Sequence, residues 1–160
     1  MLTRNFMHMI GNTNGMGAEN APVATALNGN TRTLQFAKNQ VLSVFNDTWW
    51  GYGRFVIGSG TTSPKCTDIN LESKIEEGYD CSTLAKRYIQ GEEKDYINIY
   101  GTITNSGSSS ITFSELGWIG HCRGSMSEST GYEFLLAREV YDTPITIAPG
   151  ESVAVNVNIM

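Results

Sequence analysis

A mainly β fold, an antiparallel β-sandwich with one helix on its N-terminal side and an extended N-terminal arm, is what three observations predict. Two segments alternate strictly between apolar and polar residues. In "YINIYGTIT", Ile97, Ile99 and Ile103 interleave with Tyr96, Asn98, Tyr100 and Thr102. In "SVAVNVNI", Val153, Val155, Val157 and Ile159 interleave with Ser152, Ala154, Asn156 and Asn158. Period two places each apolar set on one face of a strand. Turn-forming stretches separate the later segments: "TNSGSSS", and "TIAPGES" with Pro149-Gly150 suited to a type II turn. Only 17% of the 160 residues are charged, below the roughly 25% of average soluble proteins. Such a composition suits short strands joined by turns more than long helices stitched by Glu–Lys pairs.

Residues 1–30 are rich in Asn, Gly and Met and show no periodicity, so they read as an extended arm, ordered only if something holds it. The remaining residues, 31–160, read as one domain of ordinary size. In "TRTLQFAKNQVLSVFND", Leu34, Ala37, Val41 and Val44 or Phe45 recur at three- and four-residue spacing, as on a one-sided helix that Asn30 or Thr31 could cap. "WWGYGRFVIGSG" reads as a strand, with Phe55 and Ile57 on one face and Arg54 and Val56 on the other. Thr61 to about Gly78 reads as a long connection, with Pro64 and Asp68, that holds one short turn of helix around Leu71–Ile75. "SITFSELGWI" and "YEFLLAREVY" complete the strand set. No helical pattern separates the later strands, which argues against a parallel α/β sheet.

One position breaks the alternation. Continuing from Ile111 and Phe113 puts Glu115 on the inner face and Leu116 and Trp118 on the opposite one. Either a bulge switches the faces or Glu115 is buried, and a buried carboxylate needs a partner. Arg138, on the face of Phe134 and Leu136 by simple alternation, is the expected partner in a structural ion pair.

Chemistry is sought and mostly not found. "GSGTTSPKC" lacks the GK pair of a phosphate-cradling loop, Pro64 interrupts where its helix would begin, and no GxGxxG lies in a βαβ unit. There is no GxSxG elbow, and the two histidines are His8 and His121. Neighbours on a strand point apart, so His121 and Cys122 do not make a dyad. Glu76-Glu77 and Glu92-Glu93 lie in polar, solvated stretches. Cys66, Cys81 and Cys122 lack the paired close spacing of a zinc site and read as free thiols. No catalytic residue, cofactor or metal is expected. The net charge of −5 and the absence of a Lys/Arg cluster argue against nucleic acid. No stretch approaches the about 20 apolar residues of a bilayer span, and the start lacks the continuous apolar core of a signal peptide. The aromatics Trp49, Trp50, Tyr96 and Tyr100 read as core or subunit-interface residues. Their second reading is a glycan-stacking platform on a carbohydrate-binding β-sandwich, with Tyr96 and Tyr100 pointing the same way about 13 Å apart.

Taken in order, "RFVIGSGTTSPKCTDINLESKI", "NIYGTITNSGSSSITFSELGWIG", "LLAREVY" and "ITIAPGESVAVNVNI" resemble a class of small structural proteins of tailed bacteriophages, over about residues 34–160. Those proteins carry a strand entering a "G(T)GTT.P...D..L" loop, then "G.ITN", "I..SE(L/V/I)G", "L.AR" and a last strand after "APGES". The resemblance implies a non-enzymatic virion component, made in the host cytoplasm and tail-associated or attached to the capsid. It implies several copies, docked to one another and to other virion proteins. Under it, Gly58, Gly60, Thr61, Thr62, Pro64, Asp68 and Leu71 form a shaped connection, and Glu115-Leu116-Gly117 a feature of the sheet. The Trp49-Trp50 pair and the loop "HCRGSMSESTG" depart from that pattern.

Overall fold

The computed structural model describes residues 1–6, 23–33, 53–82, 85–90, 95–123 and 131–159. In chain order the strands are β1 (Val23–Thr25), β2 (Thr31–Thr33), β3 (Gly53–Gly58), β4 (Tyr79–Cys81), β5 (Ala85–Ile89), β6 (Tyr96–Asn105), β7 (Ile111–Arg123), β8 (Gly131–Ile147) and β9 (Ser152–Ile159). All pairings are antiparallel. β1 and β2 form a hairpin, and β3-β7-β8 make the first sheet. The second sheet is built around β6. Along one side β6 pairs with β9, and along the other with β4 at its C-terminal end and β5 at its N-terminal end.

The strict alternation of β6 and β9 produces this second sheet directly. Ile99 faces Val157 and Ile103 faces Val153 in register, and Ile99, Ile103, Val155 and Val157 are buried. Against them, from the first sheet, pack Phe55, Ile57, Phe113, Leu116, Trp118, Phe134 and Leu136. These two inner faces are the core of a β-sandwich. Each side chain so buried contributes roughly 1.5–3 kcal/mol, which fixes the register of both sheets. A smaller cluster on the outer side of the first sheet joins Val56, Ile119 and Leu135 to Leu71 of the β3–β4 connection. Phe55 and Ile57 thus face the core while Val56 faces the other way, as the alternation of "RFVI" requires.

Two turns share one hub. Asn105, at the end of "GTITN", is fully buried. Its amide nitrogen donates to the carbonyls of Ser109 and Ile147 at 2.9 Å, and its side-chain oxygen accepts from Gly107 N at 2.9 Å. Its backbone binds Glu151 and Gly150 of the "APGES" turn, where Gly150 has φ 77°. Only glycine adopts that conformation at little cost.

The stretch expected to be an extended arm, ordered only if something holds it, is held in its described parts by the domain itself. Leu2 bridges to Ala137, Arg138 N donates to Met1 O, and Thr3 N donates to Leu136 O, so the first residues add to the outer edge of β8. A helical turn at residues 4–6 follows, and Phe6 is buried against Trp118 with ring centroids 5.7 Å apart. An edge strand offers unpaired backbone groups, and these residues satisfy them. The one-sided helix expected over 34–45 lies outside the described residues. The helical turn expected around Leu71–Ile75 is absent: Lys74 instead bridges to Gly58, and Ile75 N donates to Ile57 O, because extended backbone there covers the free edge of β3.

Near the end of β8, Tyr141 packs edge-on against Phe113 at 6.1 Å, and burial pushes its phenol up to about 12 from an ordinary 10.0. A raised folded pKa stabilises the fold fully below the unfolded value and loses that contribution as pH rises through the folded one. One tyrosine is therefore expected to ionise near pH 12, together with alkaline loosening of the sandwich. Tyrosinate absorbance with and without Tyr141→Phe checks this; a variant that leaves the late ionisation in place contradicts it.

Candidate functional site

Among the described residues, a dense polar cluster lies on the outer face of the first sheet, under the connection from Ser59 to Lys74. Two irregularities create it. The β7–β8 register shifts between Phe113 and Glu115 and again between Trp118 and Ile119. The first shift lets Phe113 and Leu116 both face the core, which turns Glu115 outward. The second gives β8 one extra residue, so Phe134, Leu136 and Ala137 face the core while Leu135 joins the outer cluster. Simple alternation places Arg138 with Phe134 and Leu136; the bulge moves it to the opposite face, alongside Glu115.

Arg138 Nε donates to Glu115 Oε1 at 2.5 Å, and Glu115 is 0% exposed. The same carboxylate accepts from the backbone amides of Glu72 (2.8 Å), Gly60 (3.3 Å) and Ser73 (3.3 Å). Arg138 Nη1 donates to Asp68 Oδ2 at 2.8 Å, and Nη2 lies 3.6 Å from Glu72 Oε2. Burial works against the Arg138 charge, but the bonds to Glu115 and Asp68 outweigh it and raise its pKa above the ordinary value. Glu72 in turn accepts from Thr62 N (2.9 Å), Thr61 N (3.0 Å) and the Thr62 hydroxyl (2.8 Å), and the Thr62 bonds hold its pKa below the usual carboxylate range. Asp68 closes a local turn by accepting from Lys65 N.

The glycines of this loop are there for space. A Cβ on Gly60 would stand 2.6 Å from Glu72 Cβ and 2.8 Å from Glu115 Oε2. One on Gly117 would stand 2.8 Å from Leu71 Cδ2 and 2.9 Å from Val56 Cγ2. Gly58, Gly60, Thr61, Thr62, Asp68, Leu71, Glu115, Gly117 and Arg138, scattered through the sequence, therefore meet in one latch. Chemically the latch has little to offer a substrate. Glu115 is wholly covered and engaged by four donors, and its function is to pin the connection to the sheet. A buried pair of this kind sets which arrangement the chain adopts more than it adds stability.

The other residues singled out in the sequence lie elsewhere. Trp49 and Trp50 are outside the described residues. Tyr96 and Tyr100 stand on the outer face of the second sheet, with Tyr100 39% exposed. Cys66 and Cys81 are free thiols; Cys66 is exposed, and burial raises the pKa of Cys81. Among the described residues no group of His, Cys, Asp and Glu side chains is placed to hold a metal ion, and no helix is long and apolar enough to cross a membrane. Sequence reasoning reached Glu115 and Arg138 but missed Asp68 and Glu72 as their neighbours. The missed signal was the need of a polar loop for acceptors: its amides had to bind something.

Compared with known proteins, the chain matches no family model, no curated protein and no solved structure. Its residues and their geometry are what a functional reading has to stand on.

Proposed function

We propose that the protein is a non-enzymatic structural subunit, one that assembles with copies of itself and with neighbouring virion proteins as the phage components it resembles do. The observation that supports this is the outer edge of β9. Ser152–Ile159 is paired with β6 along one side, and no described strand pairs with the other. The first sheet, by contrast, has both of its edges occupied, by residues 1–3 on β8 and by Ser73–Ile75 on β3. An eight-residue edge with an apolar inner face invites addition of a strand from another chain. The invariably structural use of the latch residues agrees with a part that is built to hold shape.

Ala154, Asn156 and Asn158 are among the exposed positions of β9. Each is replaced by Cys in turn, in a Cys66→Ser background, and the chain is oxidised mildly. If two β9 edges pair about a two-fold axis, the position nearest the axis forms a disulfide-linked dimer, because facing Cα atoms come within disulfide range. A chain that sediments as a monomer, with no cross-link at any of the three positions, overturns self-assembly through this edge. Absence of the chain from purified particles of the phage encoding it overturns the virion reading.

A further inference from the structure

The outer face of the second sheet carries a shallow groove of about 340 Å³, unrelated to the latch and bounded on one side by β9. Its floor is Asn98, 4% exposed, between Tyr96 and Tyr100 on β6. Asn156 and Asn158 of β9 form one wall, and Ile89 of β5 lies on the other. From this geometry we infer that the groove binds a neutral oligosaccharide, with Tyr96 and Tyr100 as stacking platforms and Asn156 and Asn158 as hydrogen-bond donors.

The amides are already oriented for that task. Asn98 Nδ2 donates to Asn156 Oδ1 at 3.2 Å and to Asn158 Oδ1 at 2.7 Å. Both acceptor oxygens are thereby turned toward the floor, which leaves the two NH₂ groups directed away from it. A fixed pair of donors calls for a ligand rich in acceptors, such as the hydroxyl and ring oxygens of a sugar. A tyrosine ring supplies an apolar body for the C–H face of a pyranose and a polar tip at its rim. Among the described residues, Tyr100 is one of the few large hydrophobic side chains left exposed. Tyr96 and Tyr100 are four residues apart on one strand, about 13 Å, so a ligand touching both is an oligomer and not a single sugar.

Charge narrows the class. No charged side chain is among the described residues lining the groove, and the chain has a net charge of −5. A cation finds no carboxylate among them, and the net charge disfavours a polyanion, although β5 brings Arg87 into register opposite Asn98. A few convergent polar groups between apolar and aromatic walls are the usual make-up of a small-ligand site.

The test uses the full chain against a panel of neutral hexasaccharides built on glucose, galactose, mannose and N-acetylglucosamine, read by calorimetry or by chemical-shift changes. At least one is expected to bind. Tyr100→Ala should weaken that binding about tenfold or more, with the melting temperature little changed because the ring is part-exposed. Asn158→Asp is the sharper variant. It keeps an oxygen acceptor for Asn98 but removes the outward donor, so the fold stays and binding falls by about tenfold. Failure of every neutral hexasaccharide to bind overturns the inference, as does binding that survives both substitutions. Binding only by sulfated or phosphorylated glycans overturns it too. None of these results depends on whether the chain assembles.

Discussion

Glu115→Gln is expected to destabilise the fold by about 3 kcal/mol or more, although it only replaces one carboxylate oxygen by an NH₂ group. The carboxylate is fully covered and takes four hydrogen bonds: one from Arg138 and three from the amides of Gly60, Glu72 and Ser73. A carboxamide has one oxygen. Its NH₂ group must face either the guanidinium or the loop amides, donor against donor, in a place water does not reach. Arg138, its side chain 4% exposed, keeps Asp68 at 2.8 Å but loses its only fully buried counter-charge. Urea unfolding measures the cost, and an unchanged midpoint refutes the latch. A second readout is independent of global stability. Lys65 is exposed in the middle of the connection, so tryptic cleavage there should accelerate in the variant under conditions where both chains remain folded.

The paired roles of Glu115 and Arg138 also show where sequence reading reaches its limit. The interruption of alternation at Glu115 is visible because period two is exacting: a step of three residues from Phe113 to Leu116 cannot both keep phase and keep Leu116 inside. What the pattern does not show is on which side of the sheet the pair ends up. That depends on two register shifts along the β7–β8 pair, at both of which β8 carries the extra residues, and a bulge is set by pairing across the sheet and not by local preference. β6 and β9 were legible in full because their alternation runs without a break and the opposing faces agree. The addition of residues 1–3 to β8 was not, since three residues carry no periodicity and what holds them is long-range: backbone bonds, the Thr3 hydroxyl donating to Leu135 O, and Leu2 packed against the core. The same holds for Ser73–Ile75 on β3. The groove was half legible. Tyr96 and Tyr100 share a face by spacing alone, but the orientation of Asn156 and Asn158 by Asn98 exists only once β9 lies in register beside β6.

Gly58→Ala is expected to cost about 2–3 kcal/mol, for a reason that is steric and not conformational. The backbone of Gly58 is not in the left-handed region that favours glycine; Gly29, Gly78 and Gly150 are. Its Cβ would collide with Glu115 Oε2 and lie 2.8 Å from the carbonyl oxygen of Ser73. Neither neighbour can give way freely. The carboxylate is held from four sides, and Ser73 O accepts from Ser59 N at 2.8 Å. The methyl group must therefore lift either the ion pair or the connection. A double-mutant cycle separates this from a general intolerance at the site. Glu115→Ala removes the atom with which the new methyl collides, so Gly58→Ala added to it should cost clearly less than it does alone, a coupling of about 1 kcal/mol or more. Gly150→Ala supplies the contrast. No atom lies within 4 Å of its added Cβ, so its cost comes from φ 77° alone, about 1–2 kcal/mol, and should be additive with Glu115→Ala. If Gly58→Ala and Glu115→Ala prove additive as well, Gly58 is not glycine because of the carboxylate, and the glycines of the "GSG" turn do not exist to admit the latch.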